Sequence, residues 1–115
     1  MSKRSDFILL QDILEAIKNI DAFTDKMDYN EFSKDNKTNL AVLYSLTVIG
    51  EASNKLSTKF TLKYNQYDWR IVVAFRNRIV HDYAGVDFNL VWEVITKHLT
   101  ELKNYTTSIL EKRDL

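Results

Sequence analysis

The segment KTNLAVLYSLTVIGEASNKL, residues 37–56, decides the fold class of this chain. Apolar side chains occupy much of its helical circumference: Leu40, Val42, Leu43, Leu46, Val48 and Ile49. A helix that is apolar around most of its surface has to be covered on several sides, by other helices of the chain or by a partner chain. The segment therefore predicts a central helix from about Lys37 to Leu56.

Three other segments carry apolar residues at the three- and four-residue spacing of a helix. We expect helices from about Asp6 to Phe23, from about Gln66 to Val80 and from about Phe88 to Lys112, with Asp87 as the N-cap of the last one. The absence of proline and the presence of only two glycines favour long uninterrupted helices. The sequence therefore predicts an all-α fold, an antiparallel up-down four-helix bundle with room for a short extra helix, in a single domain spanning residues 1–115.

The composition excludes several kinds of site and partner. The chain has no cysteine, which excludes disulfides, thiolate catalysis and thiolate metal sites. It carries 16 basic and 16 acidic residues, which argues against binding long nucleic acids mainly by neutralising phosphates. No apolar run approaches the roughly 20 residues that span a bilayer, and the apolar run at 7–10 is too short for a signal peptide. We therefore expect a cytoplasmic protein without a membrane segment.

The stretch RNRIVHDY, residues 76–83, concentrates the polar residues that could carry chemistry. Arg76 falls at the centre of the apolar face of the third predicted helix, and burying a guanidinium without a partner is costly. Glu51 is the one acid in the second half of the central helix, which makes it a candidate partner. Asn77 and His81 are four residues apart, so the amide could orient the imidazole.

The residues by themselves leave two interpretations of this stretch open. Arg76 and His81 could form a site, or Arg76 could be a structural ion-pair residue and His81 a residue favoured by the dipole at a helix C-terminus. His98, on the apolar stripe of the fourth helix, is expected to be a core or interface histidine. No spacing of histidines and carboxylates matches a metal-ligand pattern, so no metal site is predicted.

A longer string of residues resembles a known family. Arg76-Asn77-x-x-Val80-His81-x-Tyr83, preceded by Trp69-Arg70 and followed by Asp87 and Val91-Trp92, resembles the HEPN superfamily and, within it, the HepT toxins of prokaryotic HepT/MntA toxin–antitoxin pairs. The family's signature is an arginine, four to six residues and a histidine, with His-x-Tyr in this branch. The sequence IGEA at residues 49–52 also resembles the second-helix segment of that branch. One departure is Ala74-Phe75, where small residues commonly precede the arginine.

The resemblance implies a metal-independent endoribonuclease that needs no cofactor and acts as a homodimer. Arg76 and His81 would be the catalytic residues, with Asn77 and Glu51 in supporting positions. The implied partners are an RNA substrate, such as a tRNA or an mRNA, and an MntA-like nucleotidyltransferase antitoxin. In this family the antitoxin attaches AMP to the motif tyrosine, which here is Tyr83, and this blocks the toxin.

Two alternative functions remain beside the ribonuclease. The chain could be a non-catalytic helical module that binds or presents a substrate to a partner nucleotidyltransferase, or a structural dimerisation bundle. In the first case Arg76 and His81 could be replaced without loss of RNA cleavage. In the second case replacing His81 would lower stability without relieving any toxicity.

Overall fold

The computed structural model describes residues 5–82 and 85–113, and every regular element in these two ranges is helical. The helices are α1 (Asp6–Phe23), α2 (Tyr29–Lys34), α3 (Asn36–Lys55), α4 (Thr58–Lys63), α5 (Arg70–His81), α6 (Phe88–Glu93) and α7 (Leu99–Arg113), with a π-helical segment at Val94–His98 between the last two. The prediction of an all-α protein is confirmed. The four predicted helices correspond to α1, α3, α5 and the continuous run from α6 to α7.

The connectors contain two short helices, where the sequence predicted room for one. α2 begins with a capping box, in which Asp28 accepts a hydrogen bond from the Glu31 N–H at 2.8 Å and the Glu31 carboxylate accepts one from the Asp28 N–H at 3.2 Å. α4 begins at a serine cap, because the Ser57 hydroxyl accepts a hydrogen bond from the Phe60 N–H at 3.1 Å.

The third long helix begins four residues later than the expected Gln66. The indole N–H of Trp69 donates to the Tyr64 carbonyl at 2.8 Å, which ties residues 64–69 into a turn ahead of α5. Trp69 itself is buried at the α5 N-terminus. The apolar side chain at this position therefore marks a packed turn and not a helical turn.

α3 is central, as the sequence predicted. It packs against α1, α2 and α5, and α1 packs in turn against α7. Its fully buried side chains include Val42 and Ile49, which belong to one hydrophobic core together with the buried side chains of α1. The fully buried residues of α1 are Leu10, Ile13, Ile17 and Ile20. None of the helices in the described ranges is long and apolar enough to cross a membrane.

The fourth predicted helix is interrupted by the π-helical segment Val94–His98. Before it, α6 packs on α2 through aromatic contacts, with the Phe32 ring centroid 5.0 Å from Trp92 and 6.1 Å from Phe88. After it, α7 packs on α1. A π-helical turn holds more residues than an α-helical turn, so the segment rotates the buried face of α7 relative to that of α6. His98 lies in this segment and is exposed, so of the two expected placements the core is wrong and an interface stays a prediction.

α5 lies antiparallel to α3, and this pairing places the candidate residues. The first half of α3, with Leu40 and Leu43, lies beside Ile79 near the end of α5. Further along α3, Gly50 lies against the Val72 carbonyl and the Arg76 side chain of α5. The motif helix is therefore fixed along one side by the central helix.

Candidate active site

The motif helix α5 has a covered side and an open side. Val72 and Ile79 are buried against the rest of the protein, whereas Arg70, Asn77 and His81 are exposed. The helix ends at His81, and the Asp82 N–H closes its last turn by donating to the Arg78 carbonyl at 2.9 Å. Residues predicted to carry chemistry therefore line the surface of a short helix whose other side is anchored.

Arg76 is held at the junction of α3 and α5 by two acceptors. Its Nη2 donates to Glu51 Oε1 at 3.1 Å, and its Nη1 donates to Asn77 Oδ1 at 2.8 Å. The predicted pairing of Arg76 with Glu51 is therefore confirmed. The expected contact of Asn77 with His81 is not formed, because the Asn77 carbonyl oxygen binds the guanidinium and no hydrogen bond joins the amide to the imidazole.

The guanidinium of Arg76 keeps donors free for a ligand. Each terminal nitrogen has two N–H groups, and within residues 5–82 and 85–113 only one of them on each nitrogen has an acceptor. The side chain is 30% exposed, so these remaining donors can be approached from solvent. Two parallel N–H groups on one planar group match two oxygens of a phosphate.

The Nε atom of Arg76 has a different environment from the terminal nitrogens. It is buried and has no hydrogen-bond acceptor among the residues that the structure describes. A buried donor without an acceptor costs about 1–3 kcal/mol. The stem of Arg76 is therefore enclosed by protein, although its head reaches solvent.

His81 lies at the C-terminal end of α5 and is exposed. No other described residue forms a hydrogen bond or an ion pair with its imidazole. Arg76 and His81 are five residues apart, which corresponds to about 140° around a regular helix. Because α5 stays α-helical through His81, the two side chains leave the helix on different sides. A single chain does not bring them together.

Tyr83, the expected site of AMP attachment, lies outside the described residues. Asp87 is described and is the N-cap of α6, as predicted, with its carboxylate accepting a hydrogen bond from the Asn89 N–H at 2.9 Å.

The two other arginines of α5 differ in their availability. Arg70 forms a two-point ion pair with Asp68, with Nε–Oδ1 and Nη2–Oδ2 distances of 3.0 and 3.1 Å. These hydrogen bonds lower the pKa of the Asp68 carboxyl and raise the pKa of the Arg70 guanidinium. Arg78 forms no ion pair within the described part of the chain. An anionic ligand would therefore have to compete with Asp68 for Arg70, but would meet no such competition at Arg78.

An exposed apolar surface lies on the same two helices, α3 and α5, as the Arg76–Glu51 pair. Leu40, Tyr44 and Val80 are 45%, 72% and 53% exposed and line a shallow groove between α3 and the end of α5. Here these three residues are named the apolar margin. Tyr44 and Glu51 are seven residues apart and so share one side of α3, and Val80 follows Arg76 by one helical turn.

The sequence analysis missed two features of this site. It listed Leu40 among the apolar residues to be covered by other helices or by a partner chain and did not show that this side chain is nearly half exposed in the single chain, because a helix that is apolar all round gives no sign of which side stays open. It also gave no role to Gly50, where α5 leaves no room for a side chain on α3. A glycine in the interior of an otherwise regular helix was the signal available for that contact. No three His, Asp or Glu side chains within the described ranges are grouped so that they could hold a metal ion.

Comparison with known proteins gives a consistent set of relatives. A family model described as HepT-like ribonuclease matches residues 13–109. A candidate RNase of Methanocaldococcus jannaschii is 40% identical over 95 residues, which cover 83% of this chain and 78% of that protein. The probable ribonuclease HepT of Thermococcus cleftensis is 36% identical, over 88% of this chain and 92% of its own length. No solved structure matches the chain.

Proposed function

The chain belongs to the HepT-like ribonuclease family, and we propose that it is an RNA endonuclease whose active site is built on Arg76 and His81. The observation that carries this proposal is the Arg76 guanidinium. It is anchored by Glu51 and Asn77, is 30% exposed and keeps two N–H groups without an acceptor among the described residues. It lies on the helix that ends with His81, which is exposed and has no partner in the described part of the chain. An anchored fork for phosphate and a free imidazole are the groups that RNA cleavage needs.

The chemistry follows from the two side chains and requires no metal ion. Cleavage through the ribose 2′-hydroxyl needs a base to remove its proton, a cation to stabilise the phosphorane and an acid to protonate the leaving 5′-oxygen. The imidazole of His81 can serve as base or acid. Arg76 can bind two non-bridging oxygens of the phosphorane, where negative charge accumulates.

A homodimer solves two problems that one chain leaves open. A single histidine does not readily act as base and acid in the same step, and His81 leaves α5 on a different side from Arg76. Two copies related by a two-fold axis would supply two histidines and two arginines to one cleft. The apolar margin supports this arrangement, because three exposed apolar side chains on the same two helices as the Arg76–Glu51 pair suit a surface that a second copy covers.

The toxin role is part of the same proposal. The protein would act in the cytoplasm as the toxin of a toxin–antitoxin pair and be silenced when an MntA-like nucleotidyltransferase attaches AMP to Tyr83. Tyr83 follows His81 by two residues, so an adduct there would add a phosphate close to the motif. Negative charge in the place that the RNA phosphate needs would block binding.

We also infer that residues 1–115 form one domain with an antiparallel four-helix arrangement. The packing of α1 on α3, of α3 on α5 and of α7 on α1 supports this arrangement. So does the antiparallel placement of α5 on α3.

A second candidate function is a non-catalytic module that serves a partner nucleotidyltransferase. The net charge of zero and the engagement of Arg76 by a carboxylate of the same chain favour it. It differs from the first candidate in one consequence, since Arg76 and His81 would then be dispensable for any RNA cleavage.

The test is expression of the wild type and of His81→Ala without an antitoxin, with growth and total RNA followed together. We expect the wild type to stop growth and to shorten a defined RNA, and His81→Ala to do neither. His81 is exposed and has no partner in the described chain. We therefore expect the free energy of unfolding of His81→Ala to lie within about 0.5 kcal/mol of the wild-type value. Equal RNA patterns from two folded proteins would reject the ribonuclease and favour the second candidate.

A further inference from the structure

Gly50 lies in the interior of the 20-residue helix α3, directly against α5. A Cβ built on Gly50 would overlap the Cβ of Arg76 and would stand 2.8 Å from its Cγ and 2.9 Å from the Val72 carbonyl oxygen. None of these atoms is the free end of a flexible side chain. A methyl group at residue 50 could be accommodated only if α5 or the stem of Arg76 moved away.

The conformation of Gly50 does not explain the choice of residue. Neither glycine has a positive φ, so any residue could adopt this backbone. Glycine is also a poor residue for a helix interior, where alanine is favoured. The lack of a side chain at residue 50 is therefore explained by the contact with Arg76 and Val72.

The contact fixes the part of Arg76 that the ion pair does not reach. Glu51 and Asn77 bind the terminal nitrogens, whereas Gly50 lies against Cβ and Cγ. The Nε atom between these two regions is buried without an acceptor within the described ranges. Two successive residues of α3 thus position Arg76. Gly50 determines how closely the Cβ and Cγ atoms approach α3, and Glu51 helps to determine the direction of the guanidinium.

We infer that Gly50 is a positioning residue for Arg76: its missing side chain lets the arginine stem lie on α3, so that the guanidinium stands at a fixed place for an RNA phosphate. This inference rests on the proposed function for its last step only. Gly50 touches no substrate and acts through Arg76 alone.

The first test compares Gly50→Ala with Gly85→Ala. The second variant makes the same chemical change at the chain's other glycine, where a Cβ would have nothing within 4 Å. We expect Gly50→Ala to lower kcat for RNA cleavage about 10- to 100-fold, because a misplacement of about 1 Å costs that much. We expect the kcat of Gly85→Ala to lie within about twofold of the wild-type value, because a change of this size does not require any catalytic group to move.

A double substitution separates positioning from general loss of structure. Affinity for an RNA with a 2′-O-methyl group at the cleavage site reports phosphate binding without turnover. We expect Gly50→Ala to weaken this affinity in the wild type and to change it by less than about twofold in Arg76→Ala, because the two substitutions remove the same interaction. Equal weakening in both backgrounds would overturn the inference.

The second test uses the Arg76 Nε–H and needs no RNA. Hydrogen exchange of this group, followed by NMR, should be slow in the wild type and in Glu51→Gln, and fast in Gly50→Ala. Fast exchange in Glu51→Gln would show that the ion pair and not Gly50 holds the stem, and this arm decides the matter if Gly50→Ala does not fold. If the exchange results are as expected but the wild type cuts no RNA, the proposed function fails and the positioning of Arg76 by Gly50 stands.

Discussion

Arg76 combines a partly exposed ion pair with a buried donor that has no acceptor in the described chain. Its ion pair with Glu51 is partly exposed on both sides, and such pairs contribute about 0–1 kcal/mol. Its buried Nε without an acceptor in the described chain costs about 1–3 kcal/mol. The ion pair with Glu51 therefore does not by itself account for an arginine at this position. A position that breaks the rule of satisfied buried donors at an exposed edge is expected where a ligand binds.

Tyr67 also has a buried polar group without a partner in the described chain, at a place without a candidate function. Its side chain is 5% exposed, and its hydroxyl has no hydrogen-bond acceptor or donor partner within the described residues. Burial, followed by the negative charges of Glu101 and Asp68, raises the pKa of Tyr67 to about 12. The unfolded chain would lose this proton near pH 10.

We predict that Tyr67 makes the protein less stable at alkaline pH. Between pH 10 and about 12 the unfolded state releases the tyrosine proton while the folded state keeps it, so the free energy of unfolding falls as pH rises. The full loss is about 3 kcal/mol for a pKa difference of about two units. Below pH 10 the group is protonated in both states and contributes no pH dependence.

The measurement is urea unfolding of the wild type and Tyr67→Phe at several pH values from 7 to 12. At pH 7 the free energy of unfolding of the variant should equal that of the wild type or exceed it by up to about 1 kcal/mol, because the variant lacks a buried hydroxyl that has no partner in the described chain. Above pH 10 the gap should widen in favour of the variant. Parallel pH curves for the two proteins would contradict the prediction.

At the scale of single helices, some helix boundaries are set by local capping and others by tertiary contacts. α1 begins and ends where its sequence predicts, because the Ser5 hydroxyl caps it by accepting from the Ile8 N–H at 3.2 Å. α5 begins later than predicted, because the bond from Trp69 to the Tyr64 carbonyl competes with a helical turn. The first signal lies within four residues, whereas the second depends on how the chain turns and packs.

The π-helical segment is the element that periodicity could not reveal. Buried residues before and after it keep helical spacings of three and four: Val91, Ile95, Leu99, Leu102, Thr106 and Ile109. The π-helical turns are wider than α-helical turns and hold one residue more. With these turns between them, α6 packs on α2 and α7 packs on α1. The pattern of apolar residues is the same with or without this rotation, so only packing shows it.

We predict that deleting Lys97 converts the π-helical segment to α-helix and leaves the fold intact. Lys97 is exposed, so its loss removes no core contact. A regular α-helix with one residue fewer gives α7 the same direction as the wider turns of the π-helical segment give it in the wild type. Deleting the exposed Asn104 in α7 instead turns the following residues by about 100° and exposes Ile109.

Thermal unfolding followed by circular dichroism measures the two deletions. The Lys97 deletion should change the free energy of unfolding by no more than about 1 kcal/mol, and the Asn104 deletion should cost about 2 kcal/mol or more, because it removes core contacts. A larger loss from the Lys97 deletion than from the Asn104 deletion would show that the π-helical geometry itself is required.

At the scale of the whole molecule, the apolar margin and the separation of Arg76 from His81 point to an assembly. One chain leaves exposed apolar residues on the α3–α5 face and two candidate catalytic groups on different sides of α5. Both observations have one explanation in a two-fold dimer that pairs the α3–α5 faces. Activity should then depend on residues that touch neither RNA nor the motif.

We predict that Tyr44→Glu produces monomers and lowers RNA cleavage by at least about tenfold, because a carboxylate in a desolvated interface is strongly unfavourable. Leu62→Glu is the matched control, since Leu62 in α4 is 69% exposed and Tyr44 is 72% exposed. Sedimentation velocity measures the oligomeric state. If Tyr44→Glu remains a dimer, or if Leu62→Glu dissociates equally, the α3–α5 face is not the interface.

The sequence by itself determined which four segments form the long helices, which helix is central, and that a buried Arg76 needs a partner, with Glu51 as a candidate. These follow from the period of apolar residues and from the cost of an unpaired guanidinium, and both can be read locally. Only the tertiary structure decided that Gly50 is the contact point for Arg76, that α6 and α7 face different partners, and that Leu40 stays exposed. These depend on the distances and rotations between helices, which packing fixes and a one-dimensional pattern does not contain.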